Sequence, residues 1–191
     1  MSTVIDKAKQ LVGQILRNVR SSPEKMASAK MRPERELEVS SESFDAGMPI
    51  PAKYTQDGEN ISASLEWAGV PADAVSLAIV CEDPDAPSLE PIVHWIVYDV
   101  PPGLSGFPEG LPAGDLPMGG KQGKNYVGEE RYIGPKPPLG HGPHHYHFQV
   151  FALDRELIFR GPPDKNAMVD AMRGHVLAQG EIVGTYERTA E

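Results

Sequence analysis

The amino-acid sequence predicts a mainly β protein: an antiparallel β-sandwich with one C-terminal helix and an extra amphipathic helix at the N-terminus. Three observations carry that expectation. Proline and glycine make up 38 of the 191 residues, and 23 of the 38 fall between Pro84 and Pro143. Proline removes a backbone donor and glycine opens φ > 0, so long helices are excluded from that stretch. Apolar residues in the body alternate with period two or run continuously over short segments. Helical periodicity is confined to the two ends of the chain.

The first element is the N-terminal helix. Val4, Ile5, Ala8, Leu11, Val12, Ile15, Leu16 and Val19 recur at helical spacing, with Lys7, Lys9, Arg17 and Arg20 elsewhere around the axis. This predicts an amphipathic helix over 3–20, stopped by Ser21, Ser22 and Pro23. A polar linker follows to about residue 35, and the main domain is expected over 36–191. Charge divides at the same place. Residues 1–35 carry eight Lys/Arg against three Asp/Glu, or +5, and the remainder carries ten against twenty-four, or −14. The helix has several readings: docking on the acidic body, pairing with its copy in a homodimer, lying on an anionic membrane surface, or organelle targeting.

The strands come next. Ile61, Ala63, Leu65 and Trp67 alternate with Ser62, Ser64 and Glu66, the pattern of a half-buried strand. Residues 75–81 and 92–100 are mostly apolar, as in strands covered on both faces. Tyr146, Phe148, Val150 and Ala152 mark another strand, and 182–186 a short last one. Between them, Asp164 after Pro162 and Pro163 is a helix N-cap, with an apolar stripe through Met168, Ala171, Met172 and Leu177, and Gly180 as the stop.

Composition narrows the function. A net charge of −9 argues against nucleic-acid binding. The single cysteine, Cys81, excludes an internal disulfide and suits a cytoplasmic location. No apolar run reaches the roughly 20 residues of a membrane span, and no hydrophobic export signal is evident. A nucleophile elbow and a phosphate-binding glycine loop are both missing, so a catalytic residue, a cofactor and enzymatic turnover are not expected.

The chemistry-bearing residues cluster. Four of the six histidines, His141, His144, His145 and His147, lie in one heptapeptide. His94 sits inside an apolar strand, and Asp83-Pro84-Asp85-Ala86-Pro87 forms a rigid strand exit. On a strand, i and i+2 share a face, so His144 and Tyr146 point one way and His145 and His147 the other. A pocket of Asp83, His94, His144 and Tyr146 offers one acceptor and three donors. An imidazolium beside a tyrosine hydroxyl seats a phosphate or carboxylate. His145-Tyr146-His147 has zinc-chelating spacing but no evident third ligand, so no metal is expected.

These residues carry a resemblance. Asp83-Pro84-Asp85-Ala86-Pro87 with His94-Trp95, and then the run from Tyr132-Ile133-Gly134-Pro135-Lys136 to His144-His145-Tyr146, resemble the two signatures of the phosphatidylethanolamine-binding proteins, also called Raf kinase inhibitor proteins. The tail, Met172-Arg173-Gly174-His175 with Gly184-Thr185-Tyr186, is similar to the bacterial branch. The resemblance covers about residues 37–188. It implies an antiparallel β-sandwich and a small anion pocket for phosphate-type head groups, formed by Asp83, Asp85, Pro87, His94, Gly134, His144 and Tyr146. It also implies a non-enzymatic binding protein, in some members one that inhibits a kinase or protease. The sequence departs from the family at His145, where Arg is common, and in residues 1–35, which have no counterpart in compact bacterial members. Two other readings stay open: a regulator acting through the N-terminal helix independently of the pocket, and a hydrolase using the Asp/His cluster.

Overall fold

The computed structural model describes residues 2–189. Its chain order is α1 (Ser2–Ile15), β1 (Arg35–Glu36), β2 (Glu38–Ser40), β3 (Leu65–Ala68), β4 (Ser76–Asp83), β5 (Ile92–Val100), β6 (Gly106–Phe107), β7 (Lys121–Gln122), β8 (His144–Leu153), α2 (Lys165–Met172) and β9 (Val176–Tyr186). The described residues are mainly β with two α-helices. Six strands form one open sheet in the order β1-β9-β8-β4-β5-β7, and β2-β3-β6 form a second. All pairings are antiparallel except β1 with β9, which is parallel. Six strands against three, both sheets open, is less than the antiparallel sandwich expected from sequence.

Strand β4 reads Ser-Leu-Ala-Ile-Val-Cys-Glu-Asp and is buried along its whole length, as its apolar run predicts for a central strand. Its side chains serve two cores. Leu77, Ile79 and Cys81 join Trp95, Val97, Phe148 and Val150 with Leu65, Trp67 and Phe107 of the small sheet. Ala78 and Val80 face the other way, into a cluster with Ile96, Phe151, Met168, Val169 and Met172. The second core is where α2 packs.

Asp164 caps α2 as its sequence position predicts, accepting the Ala167 N–H at 2.9 Å. The helix ends earlier than its apolar stripe suggested. Gly174 turns the chain at φ +80°, and Leu177 and Gly180 belong to β9. Ten residue pairs with β8 outweigh the helical pattern there. The expected strand over 61–67 shortens to β3 because Ser62 and Ser64 are buried, with their hydroxyls accepting the N–H groups of Leu111 and Glu42. The N-terminal helix ends at Ile15 rather than residue 20: Arg17 and Val19 donate to Gln14 and Leu16 in tighter turns, the Leu16 carbonyl accepts from His141, and the Ser21 N–H bonds to Ala86.

The segment expected as a polar linker is packed. Met26, Ala27 and Met31 are buried, the last two in the α2-side core. What fixes it is Glu82, fully buried at the end of β4. One Glu82 oxygen accepts the Ala27 N–H at 2.7 Å and the Gln149 amide at 2.8 Å, and the other pairs with Lys165. A buried charge is tolerated only when so surrounded, and removing one partner leaves the other uncompensated. Glu82→Ala is therefore expected to lose about 3–5 kcal/mol by urea denaturation, with new proteolysis within 22–34. Lys25→Ala, which breaks an exposed pair with Glu90, should leave the denaturation midpoint nearly unchanged.

Candidate functional site

Topology alone gathers the site. Antiparallel pairing sets the end of β4 beside the start of β5, and β8 runs antiparallel on the other flank. Asp83, His94, His144 and Tyr146 therefore share one end of the sheet. Register refines the placement of His94. Cys81 pairs with Trp95 and Glu82 with Val93, so His94 is the extra residue of a bulge. Bulges re-aim a side chain beside a site. The His94 ring stands edge-on to Tyr146 at 5.1 Å and to Tyr126 at 5.5 Å.

These residues wall a cavity of about 270 Å³. Of the seven expected site residues, Asp83, Pro87, His94, His144 and Tyr146 line it, while Asp85 and Gly134 stand behind. Asp85 pairs with Arg20 and accepts from the His145 ring at 2.6 Å. Burial opposes its charge, but the bonds from His145 and Arg20 outweigh burial and lower its pKa. Gly134 gives its N–H to Asn60 Oδ1 at 2.7 Å, and a Cβ there would strike the Tyr54 carbonyl. It is glycine because two loops touch. The sequence reading missed Tyr126 and Lys136 on the wall. Lys136 lay in plain view within the second signature, but no spacing rule separates a rim lysine from a solvated one.

Tyr146 is 1% exposed, and its hydroxyl has no hydrogen-bond partner among the described residues. Burial first, then the negative charge of Asp83, holds its pKa well above the ordinary value, so it stays an O–H donor. His94 is also buried, and desolvation outweighs Asp83 to lower its pKa. Its Nδ1 lies 2.7 Å from the Ile133 carbonyl and must donate to it. Neutral His94 thus presents Nε2 as an acceptor, where the sequence reading counted a donor.

His144 is also placed differently from expectation. Its Nδ1 is 2.7 Å from Asp83 Oδ2, and its Nε2 is 2.7 Å from His141 Nδ1. His141 Nε2 lies 2.7 Å from the Leu16 carbonyl. A carboxylate and a carbonyl end this chain, and both only accept. The two outer nitrogens must donate, and a third proton lies between the rings. Three protons on two imidazoles is one positive charge. Burial, opposed by the bond to Leu16, lowers the His141 pKa. The charge belongs to the pair, which borders the cavity at His144, and both nitrogens of that ring are committed.

His145 and His147 face away, as expected, and take separate partners, Asp85 and Glu181. Among the described residues no group of three His, Cys, Asp or Glu has metal-holding geometry. A larger groove, about 500 Å³, borders residues 35–37 and 179–181. Its Arg35 and Glu181 are already paired, with Asp73 and His147.

The model of the phosphatidylethanolamine-binding protein family matches residues 40–187. This chain belongs to that family. Among its relatives, the UPF0098 protein of Methanothermobacter thermautotrophicus is 43% identical over 80% of this chain and 99% of its own length. The crystal structure of the phosphatidylethanolamine-binding protein homologue CT736 from Chlamydia trachomatis has a TM-score of 0.73 at 36% identity, over 81% of this chain and 99% of that one. Escherichia coli YbcL gives a TM-score of 0.73 at 31% identity, over 80% and 98%. Leu16 and Arg20 lie outside the matched residues, yet they bond to His141 and Asp85. Nitrogen-15 NMR at neutral pH should therefore find three N–H protons shared by His141 and His144. Only two would remove the charge from the cavity wall.

Proposed function

We propose that this member of the phosphatidylethanolamine-binding protein family is a non-enzymatic receptor for a small phosphate-type anion, held at the cavity between His94 and His144. The observation that carries this is the buried Tyr146 hydroxyl, a donor with no protein partner. A buried unpaired donor costs about 1–3 kcal/mol, and an anionic oxygen in the cavity recovers it. Lys136 at the wall and the charged His144–His141 pair supply the field.

Catalysis is the weaker reading. The Asp83–His144 pair resembles one that orients a general base, but Nε2 of His144 is taken by His141. Ser88 Oγ donates to the Glu90 carbonyl at 2.5 Å. Cys81 is buried and its thiol pKa pushed up by desolvation, then by Glu82 and Asp83, the reverse of nucleophile activation.

The neutral His94 makes the proposal specific. Its Nε2 acceptor suits an anion that keeps one proton, so hydrogen phosphate matches Tyr146 and His94 together, whereas sulfate leaves His94 facing a bare oxygen. Calorimetry at pH 7 should show phosphate bound about tenfold tighter than sulfate. Sulfate stays a dianion, so its pH profile reports the protein. Its affinity should rise as pH falls through the lowered His94 pKa, below the ordinary imidazole value of about 6.5, and the gap from phosphate should close. Tyr146→Phe should lose about tenfold or more in phosphate affinity while folding stability holds or rises. Full affinity in that variant would remove the assignment.

A further inference from the structure

Helix α1 meets the body by its Gln10–Gly13 side, opposite its apolar residues. Gly13 is buried against the Leu139 backbone, where a Cβ would collide, and Gln10 lies against Gly140. The Leu16 carbonyl receives His141. The apolar residues are left outside: Val4 is 73% exposed, Ile5 55%, Leu11 58%, Val12 54% and Ile15 72%. Scattered exposed apolar residues are ordinary, but five on one helix face are not.

Their arrangement identifies the surface that covers them. At about 100° per residue, Val4, Ile5, Ala8, Leu11, Val12 and Ile15 occupy an arc of about 120°. Lys7 lies about 40° beyond one edge and Lys9 about 40° beyond the other. Both are exposed, and among the described residues neither enters an ion pair. An apolar strip with a lysine on each shoulder is the pattern of a helix lying in a bilayer interface, stems along the acyl boundary and ammonium groups at the phosphates. A second copy fits less well. The helix is about 21 Å long, and one narrow face of that length falls short of the roughly 800 Å² per partner of a stable interface. Two such helices would also bring their lysines together.

We propose that α1 is a membrane-surface anchor, docked on the body by its Gln10–Gly13 face and seated by its apolar arc on an anionic bilayer. The proposal needs no ligand in the cavity. Among the described residues no helix is long and apolar enough to cross a membrane, so the contact is peripheral.

Flotation of the full chain with phosphatidylcholine vesicles, with and without phosphatidylglycerol, tests it. Binding is expected only with phosphatidylglycerol and should weaken as salt rises. Leu11→Ser with Val12→Ser and Ile15→Ser should reduce binding at least tenfold, and so should Lys7→Glu with Lys9→Glu. All five side chains are exposed, so folding is spared, which circular dichroism checks. Tyr146→Phe should float like the unaltered chain. No flotation, equal flotation in the helix variants, or loss in Tyr146→Phe would overturn the anchor. So would a dimer by sedimentation that dissolves in the serine variant without vesicle binding, which would assign the face to a second copy.

Discussion

Two consecutive carboxylates inside one strand end set the rest of the structure. Glu82 and Asp83 close β4, and neither is exposed by more than 3%. Successive strand residues face opposite sides, so one charge enters the α2-side core and the other the cavity wall. Isolated carboxylates are not stable in such places. Each must be met by donors from elsewhere in the chain. Glu82 collects the Ala27 N–H, the Gln149 amide and Lys165. Asp83 collects the His144 ring and, at 2.8 Å, the Asp85 N–H. The first set holds residues 22–34 and α2 onto the sheet, and the second shapes the cavity. A neutral pair at these two positions would remove the reason for both arrangements.

The N-terminal segment is tied into that second set. Leu16 ends the proton chain that begins at Asp83, and Arg20 pairs with Asp85. Ser21 donates its hydroxyl to the Pro84 carbonyl at 2.7 Å and its N–H to Ala86 at 3.1 Å. Residues outside the family match thus bond to Pro84, Asp85 and Ala86 in the turn that follows β4. Any displacement of this strap unpairs His141 Nε2, and a buried unpaired imidazole N–H is costly. The strap and the charge state of the cavity wall are one linked system.

Much of this was legible in the residues. The apolar run over 75–81, the Asp164 cap, and the shared face of His144 and Tyr146 all follow from local periodicity and capping chemistry. Where reading failed, a long-range partner decided. Leu177 and Gly180 fit a helical stripe until β8 offers them a ladder. Ser62 and Ser64 look solvated until Leu111 and Glu42 supply donors to their hydroxyls. The apolar face of α1 looks like a docking face until Gly13 allows the opposite side closer to Leu139. His141 stands in the sequence as one of a histidine cluster, but nothing local says that it consumes the second nitrogen of His144. The proton count that gives the cavity its charge exists only in three dimensions.

That count also bears on the anion proposed for the cavity of so acidic a body. Residues 36–191 carry ten Lys/Arg against twenty-four Asp/Glu, and their combined field opposes a negative ligand at long range. At physiological ionic strength, exposed charges beyond about 8 Å are largely screened, and buried ones much less. The surface carboxylates are weakened in this way, whereas the His144–His141 charge, on rings no more than 1% exposed, keeps its full reach into the cavity. Asp83 lies on the same wall and offsets part of that charge. The balance falls to groups that act only at contact: the Tyr146 hydroxyl, Lys136 and the Nε2 of His94. For the anion proposed for this cavity, such groups favour selection by hydrogen-bond pattern over selection by total charge, which is why that proposal turns on the proton the ligand carries.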